Sequence, residues 1–241
     1  MNILKNTFAI LALSILYSCS KDDVATTPQP TVDEPVSLLT KVTHTNDGLI
    51  SIYSYDTNKR LINYKLNGNV NNAARNQNFI YNADGTLDKI NNLVSQEVEA
   101  KYFYDTNKQL IKKEGRKATD VYLYTYSGNQ ITEKYSFEGV EKWIQIYTNS
   151  SNGNIVELNS FNQITAANPN GLLTGTFIYT YDDKKAAKLS FPKQFLFPNA
   201  NKNNVLTQKY NANPVINYYY EYNVKGYPIK SINDNKTYEY Q

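Results

Sequence analysis

From Leu38 onward the chain repeats a short phrase, and a repeat of this kind leaves few folds open. Tyr53-Ser-Tyr55-Asp-Thr-Asn-Lys59-Arg-Leu61 is matched by Tyr102-Phe-Tyr104-Asp-Thr-Asn-Lys108-Gln-Leu110 and by Phe79-Ile-Tyr81-Asn-Ala-Asp-Gly85-Thr-Leu87. Looser copies centre on Tyr126, Tyr147, Tyr181 and Tyr222. Ahead of each anchoring tyrosine the aromatics alternate, as in Tyr122, Tyr124 and Tyr126 or Phe177, Tyr179 and Tyr181. A period of two places them on one face of a strand. After the anchor come Asp, Asn, Gly and Lys, which close Asx-turns or tolerate positive φ. A second strand then begins at Leu61-Ile62 or Leu110-Ile111. Each unit is therefore a β-hairpin, and successive units form an antiparallel meander. The turn count predicts an all-β, up-and-down domain of about 16 short strands with essentially no helix. Only Leu172 to Thr176 and Phe191 to Asn213 depart from the pattern.

So long a meander cannot stay flat, because strand twist curls it and its edges would lie open. A barrel, a curled open barrel or a sandwich are the available solutions, with the aromatic face inward. Second strands such as Leu110 to Glu114 and Ile131 to Tyr135 carry charge too often to face lipid, which argues against a membrane-embedded barrel. Strand alternation also predicts which way the domain points. The turns after the anchoring tyrosines share one rim, and the first strand, Leu38 to His44, starts there. The long departures at Asn159 to Gly175 and Pro192 to Pro214 are expected on the opposite rim, away from the N-terminal tether. Long loops on a rigid scaffold commonly carry binding sites.

The N-terminus explains the tether. Lys5 precedes an apolar run from Phe8 to Tyr17, followed by Ser18-Cys19-Ser20, the pattern of a secretory signal. The run is shorter than the roughly 20 residues a membrane-spanning helix needs, and it breaks at once into Lys21-Asp22-Asp23. Leu16-Tyr17-Ser18-Cys19 resembles a lipobox, which implies acylation of Cys19. Ser20-Lys21-Asp22-Asp23 resembles the export signal that carries lipoproteins of Bacteroidota-type bacteria to the outer face of the outer membrane. Cys19 is the one cysteine, so no intramolecular disulfide can form. From Ser20 to Pro35 the chain is polar, with Pro28, Pro30 and Pro35, and reads as a disordered spacer. The expected organisation is a signal peptide at 1–18, lipidated Cys19 with its tether at 19–37, and one domain at 38–241. A net charge of +3 is too small to argue for nucleic acid.

A search for chemistry yields little. His44 is the one histidine, and His44-Thr-Asn-Asp-Gly48-Leu-Ile50 fits the repeat with His in the tyrosine place. With one His and one Cys committed to lipid, no zinc site of the usual kind is expected. Phosphate-cradling Gly loops, HExxH and GxSxG patterns are absent from the sequence. Asp56, Asp84, Asp105, Asp182 and Asp183 are carboxylates of the type a glycosidase pairs, but each falls in a turn. Asn82-Ala-Asp84-Gly85 resembles a calcium loop without the following Glu. No metal or cofactor is expected. Aromatics remain as candidate ligand contacts: Phe195 and Phe197 in the long departure, and Trp143, the one tryptophan. Each also has a plain structural reading. Phe195 and Phe197 would pin their own loop, and Trp143, four residues before Tyr147, would belong to the interior.

The phrase Tyr-Asp-x-x-Gly/Lys-x-Leu is similar to the YD repeat of Rhs-type shell proteins. Tyr181-Asp-Asp-Lys-Lys185, Phe191-Pro192 and Lys202-Asn-Asn-Val205 resemble a family of Bacteroidota surface lipoproteins of unknown function, described as having a porin-like β fold in a soluble protein. Ala186-Ala187-Lys188 stands where that family usually has Asn-Pro-Phe. The resemblance implies a fold and a location and no activity. The sequence thus predicts a non-catalytic, lipid-anchored binding or scaffold module on the cell exterior, its partner a glycan or another envelope protein. The competing expectation is a carboxylate-dependent glycan hydrolase.

Overall fold

A computed structural model describes residues 36–67 and 76–241. Residues 1–35, on which the expected signal peptide, the Cys19 lipobox, the export-signal resemblance and most of the expected tether fall, lie outside the described residues.

The alternating segments form seventeen antiparallel strands among the described residues, in one up-and-down sheet. They are β1 (Leu39–His44), β2 (Ile50–Tyr55), β3 (Leu61–Asn67), β4 (Gln77–Tyr81), β5 (Leu87–Asn92) and β6 (Val98–Tyr104). Next come β7 (Leu110–Glu114), β8 (Asp120–Ser127), β9 (Gln130–Phe137), β10 (Val140–Asn149), β11 (Ile155–Asn162) and β12 (Leu172–Tyr181). A single helical turn, α1 (Lys193–Leu196), precedes β13 (Val205–Tyr210), β14 (Ile216–Asn217), β15 (Tyr220–Tyr222), β16 (Pro228–Ser231) and β17 (Lys236–Tyr240). The sequence expectation of about 16 strands is met to within one, since the strand at 216–222 is cut in two.

That cut is where the sheet fails to close. The ladder runs from β15 through β16 and β17 to β1, then strand by strand to β14. β14 pairs with β13 and β15 with β16, and no register joins β14 to β15. Only the chain itself, through Tyr218 and Tyr219, crosses the seam. There the Tyr218 N–H donates to the Leu206 carbonyl at 2.8 Å and the Ile232 N–H to the Tyr219 carbonyl at 2.9 Å. The structure is a nearly complete barrel with one seam.

The repeat explains the near rim, defined here as the one carrying the turns after the anchoring tyrosines. Asp56 Oδ1 accepts the backbone N–H groups of Asn58 and Arg60 at 2.9 and 2.8 Å. Asp105 Oδ1 does the same for Asn107 and Gln109. Lys59 and Lys108 sit at φ of 61° and 62°, the place that Gly85 fills at 86°. Each turn is thus an Asx-closed type I turn ending in a left-handed residue. The tyrosine hydroxyls link one hairpin to the previous one. Tyr55, Tyr81, Tyr104 and Tyr126 donate to the carbonyls of Leu39, Leu61, Leu87 and Leu110, each at 2.7 Å. The four leucines are buried in the core with Tyr53, Phe79, Tyr102, Tyr124 and Phe191. A smaller cluster of Tyr147, Ile155 and Leu158 fills the side formed by β10 to β12.

The rim assignment holds for one long loop and is corrected for the other. Residues 163–171 connect β11 to β12 on the far rim, as expected. The second departure lies on the near rim, because it spans Asp182 to Asn204, between the near-rim end of β12 and the start of β13. It is an insertion into an anchor turn. The Asp182 N–H still donates to the Asn204 carbonyl at 3.0 Å, and Asp182 Oδ1 accepts the N–H groups of Lys184 and Asn204. Instead of extending outward, the inserted chain folds into the barrel.

Candidate functional site

The insertion divides the interior. Phe191 packs on Tyr53 with ring centroids 4.8 Å apart, Phe195 on Phe79 at 4.9 Å, and Phe197 on Tyr124 at 4.9 Å. Apolar and aromatic burial therefore draws this segment inward. Phe195 and Phe197, expected on an outward loop, are interior residues; the physical reason is that the barrel's own tyrosine and phenylalanine faces are their best partners. Above them the barrel is hollow toward the far rim.

The hollow is a cup of three adjoining compartments. The first, about 450 Å³, is lined by Val42, His44, Ser51, Tyr53, Tyr64 and Tyr238 from the wall, and by Lys236 at the start of β17. Its floor comes from the insertion: Ala186, Ala187, Lys188, Leu196, Asn199 and Asn201. The second, about 220 Å³, shares Tyr53, Tyr64 and Lys188 with it and adds Gln77, Phe191 and Phe195. The third, about 510 Å³, continues from Gln77 and Phe195 to Glu99, Tyr102, Lys113, Arg116, Asp120 and Tyr122. Compartments of this size suit small ligands. Tyr53 stacks on Tyr64 at 5.3 Å, and the Lys113 ammonium lies 3.8 Å from the centroid of the Tyr122 ring.

Register puts more charge inside than the sequence reading allowed. β7 presents Lys113 opposite Tyr102 and Tyr122, and β9 presents Glu133 opposite Tyr124 and Gln145. Period two through Ile131, Glu133 and Tyr135 could have shown this, because its neighbours on that face are core residues. The other charges of these strands, Lys112, Glu114 and Lys134, point outward as expected. Glu133 is only 4% exposed. Burial pushes its carboxyl up from the usual range, offset by the Tyr124 hydroxyl, the Lys113 charge and the Tyr147 hydroxyl. The Tyr124 hydroxyl, beside that carboxyl, makes no hydrogen bond of ordinary geometry. Burial lowers the Lys113 ammonium, while Glu133 and Asp120 support its charge.

Lys188 is the cation that the insertion presents to the cup, where its side chain is exposed. Desolvation by the surrounding cup and then the nearby Lys236 charge lower it. Among the described residues it has no ion pair; its one side-chain contact of note is with the Phe191 ring, 5.9 Å from Nζ to the centroid. Lys236 lies at the far-rim end of β17, its Nζ 3.4 Å from Asp234 Oδ2.

The remaining sequence candidates fall as follows. Trp143 faces inward on β10, packed on Tyr135 at 5.2 Å and Tyr122 at 6.0 Å, and lines none of the three compartments. Phe195 lines two of them, whereas Phe197 lies against the near-rim side of the insertion. His44 ends β1 on the far rim and faces the cup. Asp56, Asp84, Asp105 and Asp182 are occupied in turns; the Arg60 N–H holds Asp56 low, and the Thr86 hydroxyl holds Asp84 low. Among the described residues no group of three His, Cys, Asp or Glu side chains could hold a metal ion.

No family model matches the chain, and no curated protein does. Among solved structures, a porin-like protein from Bacteroides uniformis ATCC 8492 is similar in fold, with a TM-score of 0.42 and 13% identity. The match covers 84% of this chain and 95% of that one. No helix among the described residues is long and apolar enough to cross a membrane.

Proposed function

We propose that the protein is a non-catalytic, lipid-anchored binding module on the bacterial cell surface, which holds a small saccharide in the cup above the insertion. The observation that carries this reading is the cup itself: aromatic faces of Tyr53, Tyr64, Tyr102 and Tyr122 interleaved with amide, hydroxyl and charged groups. Sugars present apolar ring faces and a surround of hydroxyls, and such walls complement both. The Cys19 lipobox supports anchorage, and the charged outward residues of β7 and β9 favour a domain standing in water. The hydrolase reading draws on Glu99 and Asp120, which line the third compartment. Glu99 is already engaged by the side-chain amides of Gln77 at 2.6 Å and Asn92 at 2.9 Å, which favours a structural task.

The test is titration of the purified protein with a panel of neutral and acidic oligosaccharides, alongside a Tyr64→Ala variant. Saturable binding that Tyr64→Ala weakens about tenfold or more, the scale of a lost aromatic contact, with no new reducing ends released, supports the reading. Hydrolysis lost in Glu99→Gln or Asp120→Asn would replace it with the enzyme.

A further inference from the structure

The first compartment of the cup is chemically one-sided. Among the described residues its lining includes three basic side chains, His44, Lys188 and Lys236, and no acidic one. The rest of its polar lining consists of groups able to donate: the Ser51, Tyr53, Tyr64 and Tyr238 hydroxyls and the Asn199 and Asn201 amides. Asn201 Oδ1 is already taken by the Ile155 N–H at 2.8 Å, which leaves its NH₂ as the free end. The third compartment contrasts with this, because there Lys113 and Arg116 are matched by Glu99 and Asp120.

Lys188 brings the asymmetry to the middle of the cup. Its ammonium is exposed there and, among the described residues, has no ion pair, so it stands free to meet a ligand's charge. Lys236 adds a second positive charge to the same lining, close enough to act on Lys188, and its own partner Asp234 is on the rim. Lys188 is also central, lining the first and second compartments and the near-rim side of the insertion. An anionic group seated between Lys188 and Lys236 would satisfy both ammonium groups and accept from the surrounding hydroxyls and amides.

Resting on the saccharide reading above, we infer that the bound sugar is acidic and that its carboxylate or sulfate is held at the Lys188–Lys236 end of the cup. The neutral rings then lie along Tyr53, Tyr64 and Phe195 toward the third compartment.

The experiment uses two matched pairs of probes on the purified protein: trigalacturonate against its methyl ester, and a sulfated oligosaccharide against its desulfated form. The expected result is a preference of about tenfold or more for the charged member of at least one pair, and the pair that shows it identifies the anion. Lys188→Met should abolish the preference by weakening the charged member far more than the neutral one, and Lys188→Arg should restore part of it. Because the Lys188 side chain is exposed, Lys188→Met should leave the melting temperature nearly unchanged, which separates lost recognition from lost fold. Equal affinity within both pairs would overturn the inference and leave the saccharide reading standing. If no probe bound, the saccharide reading would fall. Inorganic sulfate would then test the lysine pair alone: stabilisation that Lys188→Met removes would uphold an anion site, and none would overturn it.

Discussion

The Tyr81 hydroxyl donates to the Leu61 carbonyl at 2.7 Å, joining the end of one hairpin to the start of the previous hairpin's second strand. The same bond recurs from Tyr55 to Leu39, Tyr104 to Leu87 and Tyr126 to Leu110. It explains why the repeat anchors on tyrosine where phenylalanine would fill the space equally well. Tyr81→Phe should cost about 1–2 kcal/mol, the scale of a half-buried hydrogen bond whose acceptor is stranded. Tyr104→Phe and Tyr126→Phe should cost similar amounts. Tyr210→Phe, whose exposed hydroxyl reaches the Thr174 carbonyl at 3.2 Å, should cost less. Urea midpoints of the four variants check this, and equal costs would show that the near-rim bonds add nothing special.

The turn residue after each Asx-turn offers a second test. Gly85 holds φ of 86°, with no heavy atom within 4 Å of where a Cβ would stand. Gly85→Ala is therefore penalised by backbone conformation and not by crowding, by about 1–2 kcal/mol. Lys59→Gly should move the other way or not at all, since Lys59 already bears that strain at φ of 61°. Thermal melts decide it, and a harmless Gly85→Ala would mean the turn can relax out of the left-handed region.

These near-rim features were open to sequence reading because they are local. Tyr81, Asp84, Gly85 and Leu87 act within a few residues of one another or one hairpin away, so spacing encodes them. The inward fold of 182–204 is not local. Phe191, Phe195 and Phe197 find partners on β2, β4 and β8, and nothing in their spacing says so. Glu133 was legible in principle, since it alternates with Ile131 and Tyr135, but its charge suggested an outward place; Lys113 was not, because a bulge between Leu110 and Lys112 shifts it onto the inward face opposite Tyr102. Lys188 carried no signal: it lies in Ala186-Ala187-Lys188, outside any periodic element. The seam at Tyr218 and Tyr219 was hidden as well, because the aromatics from Tyr218 to Tyr222 alternate like one uninterrupted strand.

Glu133 makes stability depend on pH in a definite sense. In the unfolded chain it ionises near its ordinary value of 4.5, whereas the fold holds its proton to higher pH because burial disfavours the charge. Its contribution is therefore fully present below that ordinary value and is lost as pH rises from there through the raised folded value. The corresponding window for Lys113 opens downward from 10.5, at the other end of the scale. Glu133→Gln should be more stable than the native protein at pH 7, by something of the order of 1 kcal/mol, and the gap should close by pH 4. Chemical denaturation at several pH values measures it. A gap that did not vary with pH would mean that Glu133 is neutral, or fully compensated, throughout.

Asn154 is the pin of the insertion. It is 1% exposed, and its Oδ1 accepts the Lys202 and Asn203 N–H groups at 2.8 and 3.2 Å while its Nδ2 donates to Asn203 Oδ1 at 2.8 Å. Beside it, the Ile155 N–H donates to Asn201 Oδ1, so one near-rim turn holds the whole return of the inserted chain. Asn154→Ala strands two backbone donors and should cost about 2–4 kcal/mol. The loss should be local in the first instance. Hydrogen exchange ought to accelerate across 184–203, while the core amides of β4 to β9, which bond within the wall, stay protected. Since Lys188, Leu196 and Asn201 form the floor of the first compartment, ligand affinity should fall in the same variant even where the barrel remains folded. Uniform loss of protection across barrel and insertion would instead make the insertion part of one cooperative core, and the cup's floor as rigid as its walls.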